Sequence, residues 1–479
     1  MDWLISITHF LPHLAALAAC ANLLASGHAL LHKRDTRAAT IWISIIWFLP
    51  ALGALLYLAL GVNRIRRRAR KLRVHKTFSR AVPENLGDSE HDGAEHLKHI
   101  AHVVSRVISQ PLTAGNKIEP LVNGDAAFPA MLAAIDSAQK SISLCTYIFD
   151  NDETGRKFVA ALERALKRGV AVRVLIDSAG TRYSFPPITW KLRRAKIPFA
   201  KFLPASVFTP WRVATINLRN HRKSLTVDGN ISFTGGMNIR RGNMLLEKPG
   251  HPVQDLHFRV TGPVVAELQE AFANDWDFTT GETLDGELWF PELTEAGGVI
   301  ARVVPDGPDS DFENARWTLL AALAEAQTSV KILTPYFLPD NALITALNLA
   351  SLRGVRVDII LPAKNNLPFV HWASRALWWQ VLERGCHVWL TPPPFDHSKL
   401  IIVDAHWVSF GSANWDARSL RLNFELNVEA YGRDFAHEME KLFDKKIRTA
   451  REVSLAEVDR RPLSAKLRDA LARLFSPYL

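Results

Sequence analysis

Two stretches decide how this chain reads: His221-Arg222-Lys223-Ser224-Leu225-Thr226-Val227-Asp228 and His397-Ser398-Lys399-Leu400-Ile401-Ile402-Val403-Asp404. In both, Lys follows His by two residues and Asp follows Lys by five. Seven residues after Asp each string reaches a turn of small residues that ends in Asn, Gly235-Gly236-Met237-Asn238 in the first and Gly411-Ser412-Ala413-Asn414 in the second. The apolar run between Lys and Asp predicts a strand, and on a strand His and Lys point to one face. A second strand is expected at 231–234 and 407–410, after turns at Asp228-Gly229-Asn230 and Asp404-Ala405-His406. One such string is a weak signal, but two with identical spacing are hard to obtain from packing alone.

Working outward, each string closes a run of alternating strand and helix patterns. Strands are predicted at 141–148 and 170–176 around a helix at 154–168, and again at 329–334 and 355–361 around a helix at 341–353. Thr146-Tyr147-Ile148-Phe149 parallels Thr334-Pro335-Tyr336-Phe337, and Arg168-Gly169-Val170 parallels Arg353-Gly354-Val355, at offsets of 188 and 185 residues. The economical reading is an α/β fold in two similar halves.

These residue types suit displacement at phosphorus. A neutral imidazole is a nucleophile near neutral pH. Lys sets a fixed positive charge against phosphoryl oxygens, the small residues let backbone approach a ligand, and Asn can donate from its amide. Two histidines divide the labour, one attacking while the other protonates the leaving oxygen and later deprotonates the acceptor. The scheme calls for no metal and no cofactor. Asp228 and Asp404 either take part in this chemistry or serve as turn residues at strand ends.

The paired H-x-K-x4-D strings resemble the phospholipase D superfamily. The segments FLPALGALLYLALG, TYIFDNDETGRKF, TPYFLPD, GSANWDARSLRLNFELN and RLFSPYL are similar to bacterial cardiolipin synthases within it, so the resemblance spans essentially the whole chain. It implies two phospholipase D-like halves related by a pseudo-two-fold axis, and two-step transesterification through a phosphohistidine. By the same resemblance His221 is the nucleophile, His397 the general acid and base, and Lys223, Lys399, Asn238 and Asn414 hold the phosphate. It also implies a carboxylate downstream of each motif that orients a catalytic His. Glu425 in LNFELN fits that place in the second half and Asp255 in VQDLHF in the first. The implied reaction moves a phosphatidyl group from one phosphatidylglycerol to another and releases glycerol. A hydrolytic phospholipase D and a non-enzymatic scaffold for anionic lipid are the alternatives.

At 479 residues the chain has room for two or three domains, and 48% hydrophobic with 22% charged residues excludes a disordered protein. A net charge of +10 suits an anionic partner. Here that partner is expected to be anionic membrane lipid, not nucleic acid, because the N-terminus reads as membrane-embedded. Three distant cysteines, Cys20, Cys145 and Cys386, make neither a disulfide framework nor a metal cluster.

Residues 41–60 carry no charge and are long enough to span a bilayer, and 3–31 form a second uncharged stretch. The expectation is a two-span hairpin. Eight basic residues from Arg64 to Lys76 outnumber the three in the loop (Lys33, Arg34, Arg37), which places the catalytic part in the cytoplasm at a bacterial inner membrane. Residues 74–116 read as a polar linker, in which His91, His96, His99 and His102 are a conceivable metal cluster but more simply a solvated face. Domain limits follow: hairpin 1–62, basic segment and linker 63–116, first half 117–285, second half 286–479. Aromatic and basic residues at 185–211 (with Trp190 and Phe208) and at 369–379 (with Phe369 and Trp372) suit a site that takes lipid from a membrane. The C-terminal leucines, Leu463 to Leu474, recur at helical spacing and fit either a membrane surface or packing on the body.

Overall fold

The computed structural model describes residues 2–33, 36–61, 95–204, 218–308 and 311–476. The expected basic run from Arg64 to Lys76, His91, Phe208 and Trp211 lie outside them. The chain divides into an N-terminal unit, 1–74 with 206–216, and a body, 75–205 with 217–479.

In the N-terminal unit a single helix runs Asp2–His32, and its part Pro12–His32 is long and apolar enough to cross a bilayer. The second stretch departs from the expected span. Helix Thr36–Phe48 ends before Pro50, Ala51 takes a φ of 62°, and the chain resumes as helix Leu52–Leu56 and a π turn Tyr57–Gly61. At about 1.5 Å per residue the 13-residue helix reaches about 20 Å, short of the apolar layer of about 30 Å. Pro50 cannot donate to the helix, and the chain reverses there. A Cβ on Gly53 would lie 2.3 Å from the Ile45 carbonyl oxygen, Trp42 meets Tyr57 edge-on at 5.4 Å, and Gly61 abuts Trp42. Residues 52–61 therefore return along the helix they follow. Tyr57 also takes a 2.8 Å hydrogen bond with His28 on the long helix. Among the described residues the unit holds one spanning helix and a folded-back apolar pair, not two spans.

The body is built on one sheet of 15 strands. The first half supplies β1 (Thr113–Val122), β2 (Ser141–Thr146), β3 (Ala171–Asp177), β4 (Phe199–Phe202), β5 (Ser224–Val227), β6 (Ile231–Gly235), the short β7 (Val253–Gln254) outside this sheet, and β8 (Leu256–Thr261). The second supplies β9 (Val299–Asp306), β10 (Ser329–Leu333), β11 (Phe337–Leu338), β12 (Arg356–Pro362), β13 (His387–Thr391), β14 (Phe395–Asp396), β15 (Leu400–Val403), β16 (Trp407–Gly411), β17 (Trp415–Asp416), β18 (Glu425–Tyr431) and β19 (Arg451–Val453). Outward from a central seam the first half runs β1-β8-β6-β5-β2-β3-β4 and the second β9-β18-β16-β15-β10-β12-β13, with β19 at the edge. The two orders are the same permutation, and β1 pairs antiparallel with β9, as a two-fold axis through the seam requires. Phe258 and Phe410, equivalent in neither sequence position nor strand, stack across the seam at 3.8 Å.

The strands follow their sequence patterns. β5 and β15 are buried along their whole length, and each pairs antiparallel with the strand after it and with the second strand of its own half, β2 or β10. The stretch read as linker differs: it contains helix Lys98–Val107, and β1 starts at Thr113. Ile100 and Val104, four apart, are fully buried against the second half's core, which outweighs the polar residues around them.

Candidate active site

The two H-x-K strings are brought together by backbone. Extended chain at Asn220 bridges to Phe424, and His221 N donates to the Phe424 carbonyl at 2.8 Å. Likewise β14 pairs with β7, and His397 N donates to the Gln254 carbonyl at 2.8 Å. Each histidine is thus tied to the residue just before the carboxylate of the opposite half.

The side chains follow the same crossing. His221 Nδ1 lies 2.9 and 3.1 Å from the Glu425 oxygens, and His397 Nδ1 lies 2.9 Å from Asp255 Oδ2. The carboxylates suggested by the downstream sequences are therefore both at the site, each serving the histidine of the other half. A carboxylate at Nδ1 fixes the proton there and leaves Nε2 as a lone pair. The rings stand 6.5 Å apart between centroids and at 80°, each side chain 12% exposed. Burial, first of all, holds both rings neutral and drops each to about 4, with Lys223 and Lys399 pushing the same way and the carboxylates opposing. Glu425 stays ionised at about 2, where burial is outweighed by His221, Lys223 and Ser412.

Lys223 and Lys399 sit beside these rings, each Nζ donating to the carbonyl of its own histidine at 2.5 Å. Both are buried, and burial lowers them to about 7 and about 8, with Lys399 adding to the drop of Lys223. Glu425 and Asp255 partly offset this by favouring the charged lysines, and a bound anion between the lysines would favour them further. Asn238 and Asn414 are buried nearby. The Asn238 side-chain oxygen accepts from Ile148 N at 3.0 Å, and Asn414 donates to Ser419 Oγ at 3.1 Å while its own oxygen has no partner among the described residues.

Asp228 and Asp404 are not brought to this site. Each closes the far end of its strand at positive φ, about 16 Å along extended chain from the lysine. Asp228 accepts from the backbone of Gln139, Lys140 and Ser141 at 2.7–3.1 Å, and Asp404 from Gln327, Thr328 and Ser329 at 2.8–2.9 Å. Their role is to staple the turn before β2 and before β10, so the turn reading of these two residues replaces the chemical one. Asp404 also meets His96 at 2.8 Å, while His99 meets Glu325 at 3.1 Å, so these two linker histidines serve separate carboxylates.

Residues not singled out from sequence complete the site. Tyr147 lies edge-on to His221 at 5.1 Å with Lys223 over its ring at 5.6 Å, and Tyr336 lies edge-on to His397 at 6.2 Å. Their signal was the repeated TYIF and TPYF segments. Ser412 donates to Glu425 at 2.6 Å, and the Asn423 amide donates to the same carboxylate at 3.0 Å. At the equivalent of Ser412 the first half has Gly236, where a Cβ would meet Asp255 Oδ1 at 2.4 Å. The shorter Asp255 occupies the room that Ser412 fills beside Glu425.

The sequence matches a family model described as "Cardiolipin synthase, PLD-like domain" over residues 131–276 and 319–447, and one described as "Phospholipase D-nuclease N-terminal" over 20–61. A cardiolipin synthase of Oceanobacillus iheyensis is 31% identical over 94% of this chain and 95% of its own. Cardiolipin synthase A of Pseudomonas fluorescens is 32% identical over 98% and 99%. Among solved structures, a phosphatidylserine synthase of Haemophilus influenzae covers 79% of this chain and all of its own with a TM-score of 0.63 at 15% identity, a likeness of fold.

Proposed function

Since this chain belongs to the cardiolipin synthase family of phospholipase D-like proteins, we propose that it is a phosphatidyltransferase making cardiolipin from two molecules of phosphatidylglycerol. The observation that carries the reading is the pair of neutral histidines, 6.5 Å apart, each held by the other half's carboxylate.

His221 Nε2 attacks phosphorus, and the P–O bond to the headgroup glycerol breaks. His397 takes up a proton on Nε2 from water when the bound phosphodiester anion raises its basicity, and gives that proton to the leaving oxygen. The phosphohistidine carries positive charge on its ring, which Glu425 neutralises. Lys223, Lys399, Asn238 and Asn414 stabilise the phosphoryl oxygens. A hydroxyl of the second phosphatidylglycerol then loses its proton to His397 as its oxygen bonds phosphorus and the P–N bond breaks. Water in place of that hydroxyl would give phosphatidic acid. Every proton and charge is supplied by side chains, so we expect no cofactor requirement.

The protein is membrane-associated. We place the catalytic part on the cytoplasmic side of a bacterial inner membrane, because the basic residues flanking the folded-back apolar pair, Lys33 to Arg37 and Arg64 to Lys76, lie on the side that positive charge selects. We keep 117–285 and 286–479 as the two catalytic halves. The test is incubation of the detergent-solubilised protein with labelled phosphatidylglycerol in EDTA. Cardiolipin with equimolar glycerol supports the reading; phosphatidic acid makes it a hydrolase, and no product makes it a lipid-binding scaffold.

A further inference from the structure

The C-terminal helix Leu463–Arg473 is amphipathic in the opposite sense to a core helix. It packs on helix Pro368–Arg375 with its small and ionic face. Ala472 is buried, and the fully buried Asp469 is held by Arg461 at 2.8 Å, Arg468 at 2.7 Å and Arg375 at 3.3 Å. Arg468 also lies over the Trp372 ring at 4.5 Å. The leucines point the other way. Leu463, Leu467, Leu471 and Leu474 fall within about 80° of one another on a 3.6-residue helix, and they are 71%, 62%, 60% and 73% exposed. Lys466 and Arg473 flank one side of this stripe and Arg468 the other. A soluble domain rarely displays such a contiguous apolar strip. Basic residues on both margins are what an interfacial helix uses to reach lipid phosphates while its leucines enter the acyl boundary.

The strip leads to the site. Phe475 meets Phe369 at 5.6 Å, and Phe369 and Leu367 are themselves exposed. Leu367 follows Asn366, whose side chain takes a 2.8 Å bond from the Tyr336 hydroxyl, and Tyr336 lies against His397. The first half repeats the arrangement: Tyr183 packs on Tyr147 beside His221, and Tyr183, Phe185 and Trp190 are 59%, 93% and 58% exposed. Each histidine is thus linked through a tyrosine to an exposed apolar lip of its own half.

We propose that the C-terminal helix and these two lips form one docking face that seats the catalytic body on an anionic phospholipid bilayer, so that a diacyl lipid reaches the histidines without leaving the membrane. This rests on the lipid-transferase reading above and adds a surface distinct from the spanning helix. Charge complementarity selects the occupant: a basic-edged apolar strip fits anionic headgroups, whereas a second copy would bring like charge against like.

The test uses the full chain in phosphatidylglycerol-containing vesicles, in a Cys20→Ser background. Leu471→Cys is labelled with an environment-sensitive fluorophore, and Lys167→Cys, on a 72% exposed side chain of the body, is the control. The expected result is a blue shift and quenching by spin-labelled lipid at 471 and neither at 167. A probe at 471 that stays aqueous, or that is shielded from iodide yet untouched by the lipid quencher, as in a protein contact, overturns the proposal. In parallel, the triple variant Leu463→Ser, Leu467→Ser, Leu471→Ser should lose at least tenfold in turnover of vesicle-borne substrate and less than twofold on monomeric short-chain phosphatidylglycerol. Equal rates on vesicles would overturn it. If the unmodified chain turns over neither substrate, the functional reading fails, and the quenching result alone still decides the docking face.

Discussion

Replacing Glu425 by Gln isolates the crossed wiring of the site. The carboxylate receives His221 Nδ1 on both oxygens, Ser412 Oγ on one and Asn423 Nδ2 on the other. Gln can keep its oxygen toward Asn423 and His221 and turn its amide toward Ser412, whose hydroxyl rotates to accept. The resting protein loses little, because burial already keeps His221 neutral. The cost falls on the step that makes the ring cationic, when Nε2 bonds phosphorus and Nδ1 keeps its proton. Removing the partner of a buried charge costs about 3–5 kcal/mol, so turnover should fall about 10²–10⁴-fold. Steady-state glycerol release from phosphatidylglycerol, with thermal unfolding to check that the variant is folded, measures this. The crossing makes a sharper forecast with a substrate bearing a leaving group that needs no proton. Asp255→Asn, which affects His397, should still form the covalent adduct at a near-normal rate, and Glu425→Gln should not. If the two variants exchange these behaviours, the assignment of each carboxylate to a chemical step is wrong.

Asp404→Asn removes a charged hub for three backbone amides and should cost about 2–3 kcal/mol of stability, read as an earlier denaturation midpoint, with turnover per folded molecule within a few-fold; a hundredfold loss in a folded sample would return this residue to the chemistry. The pH profile of kcat/KM should decline above about 4, because each turnover must first bring a proton to His397, and decline more steeply through about 7 to 8, because burial depresses Lys223 and Lys399 to those values and their charge is lost above them; on the acid side it should fall only near 4, where His221 protonates and loses its attacking lone pair. In kcat the alkaline limb should move upward, since bound phosphate favours charged lysines; an acid limb near 6.5 would contradict the burial argument. Gly236→Ser should displace Asp255 from His397 and cut turnover at least tenfold, and adding Asp255→Glu should restore part of it, because the second half accommodates Ser412 with the longer Glu425.

Much of this was legible in the sequence for one reason: duplication. Spacing shared by two copies located the histidines, lysines and asparagines, and the repeated strand and helix patterns implied the sheet of two halves. The crossing of Glu425 to His221 and Asp255 to His397 was not legible, because it depends on β14 pairing with β7 and on the bridge from Asn220 to Phe424, contacts between residues more than 140 apart. Asp228 and Asp404 repeat as faithfully as the histidines, so periodicity alone could not separate a turn staple from a reacting group. The apolar stretch after Lys33 carries enough hydrophobic length for a span, but Pro50 and Gly53 let it fold back, and composition does not record that reversal. The C-terminal leucines at helical spacing fit a membrane surface or the body in a one-dimensional reading, and the buried Asp469 on the opposite face shows which side meets the body.

The central claim is that the two halves share one site in which His221 carries the phosphatidyl group. It is tested most directly by mass spectrometry of peptides from rapidly quenched reactions with labelled phosphatidylglycerol, worked up without acid because a phosphohistidine is acid-labile. The account predicts one phosphatidyl group per chain on His221, accumulating in His397→Ala with an activated substrate and absent in His221→Ala. An adduct on His397 would reverse the roles of the two rings, and labelling of both histidines in one chain would contradict the shared site itself.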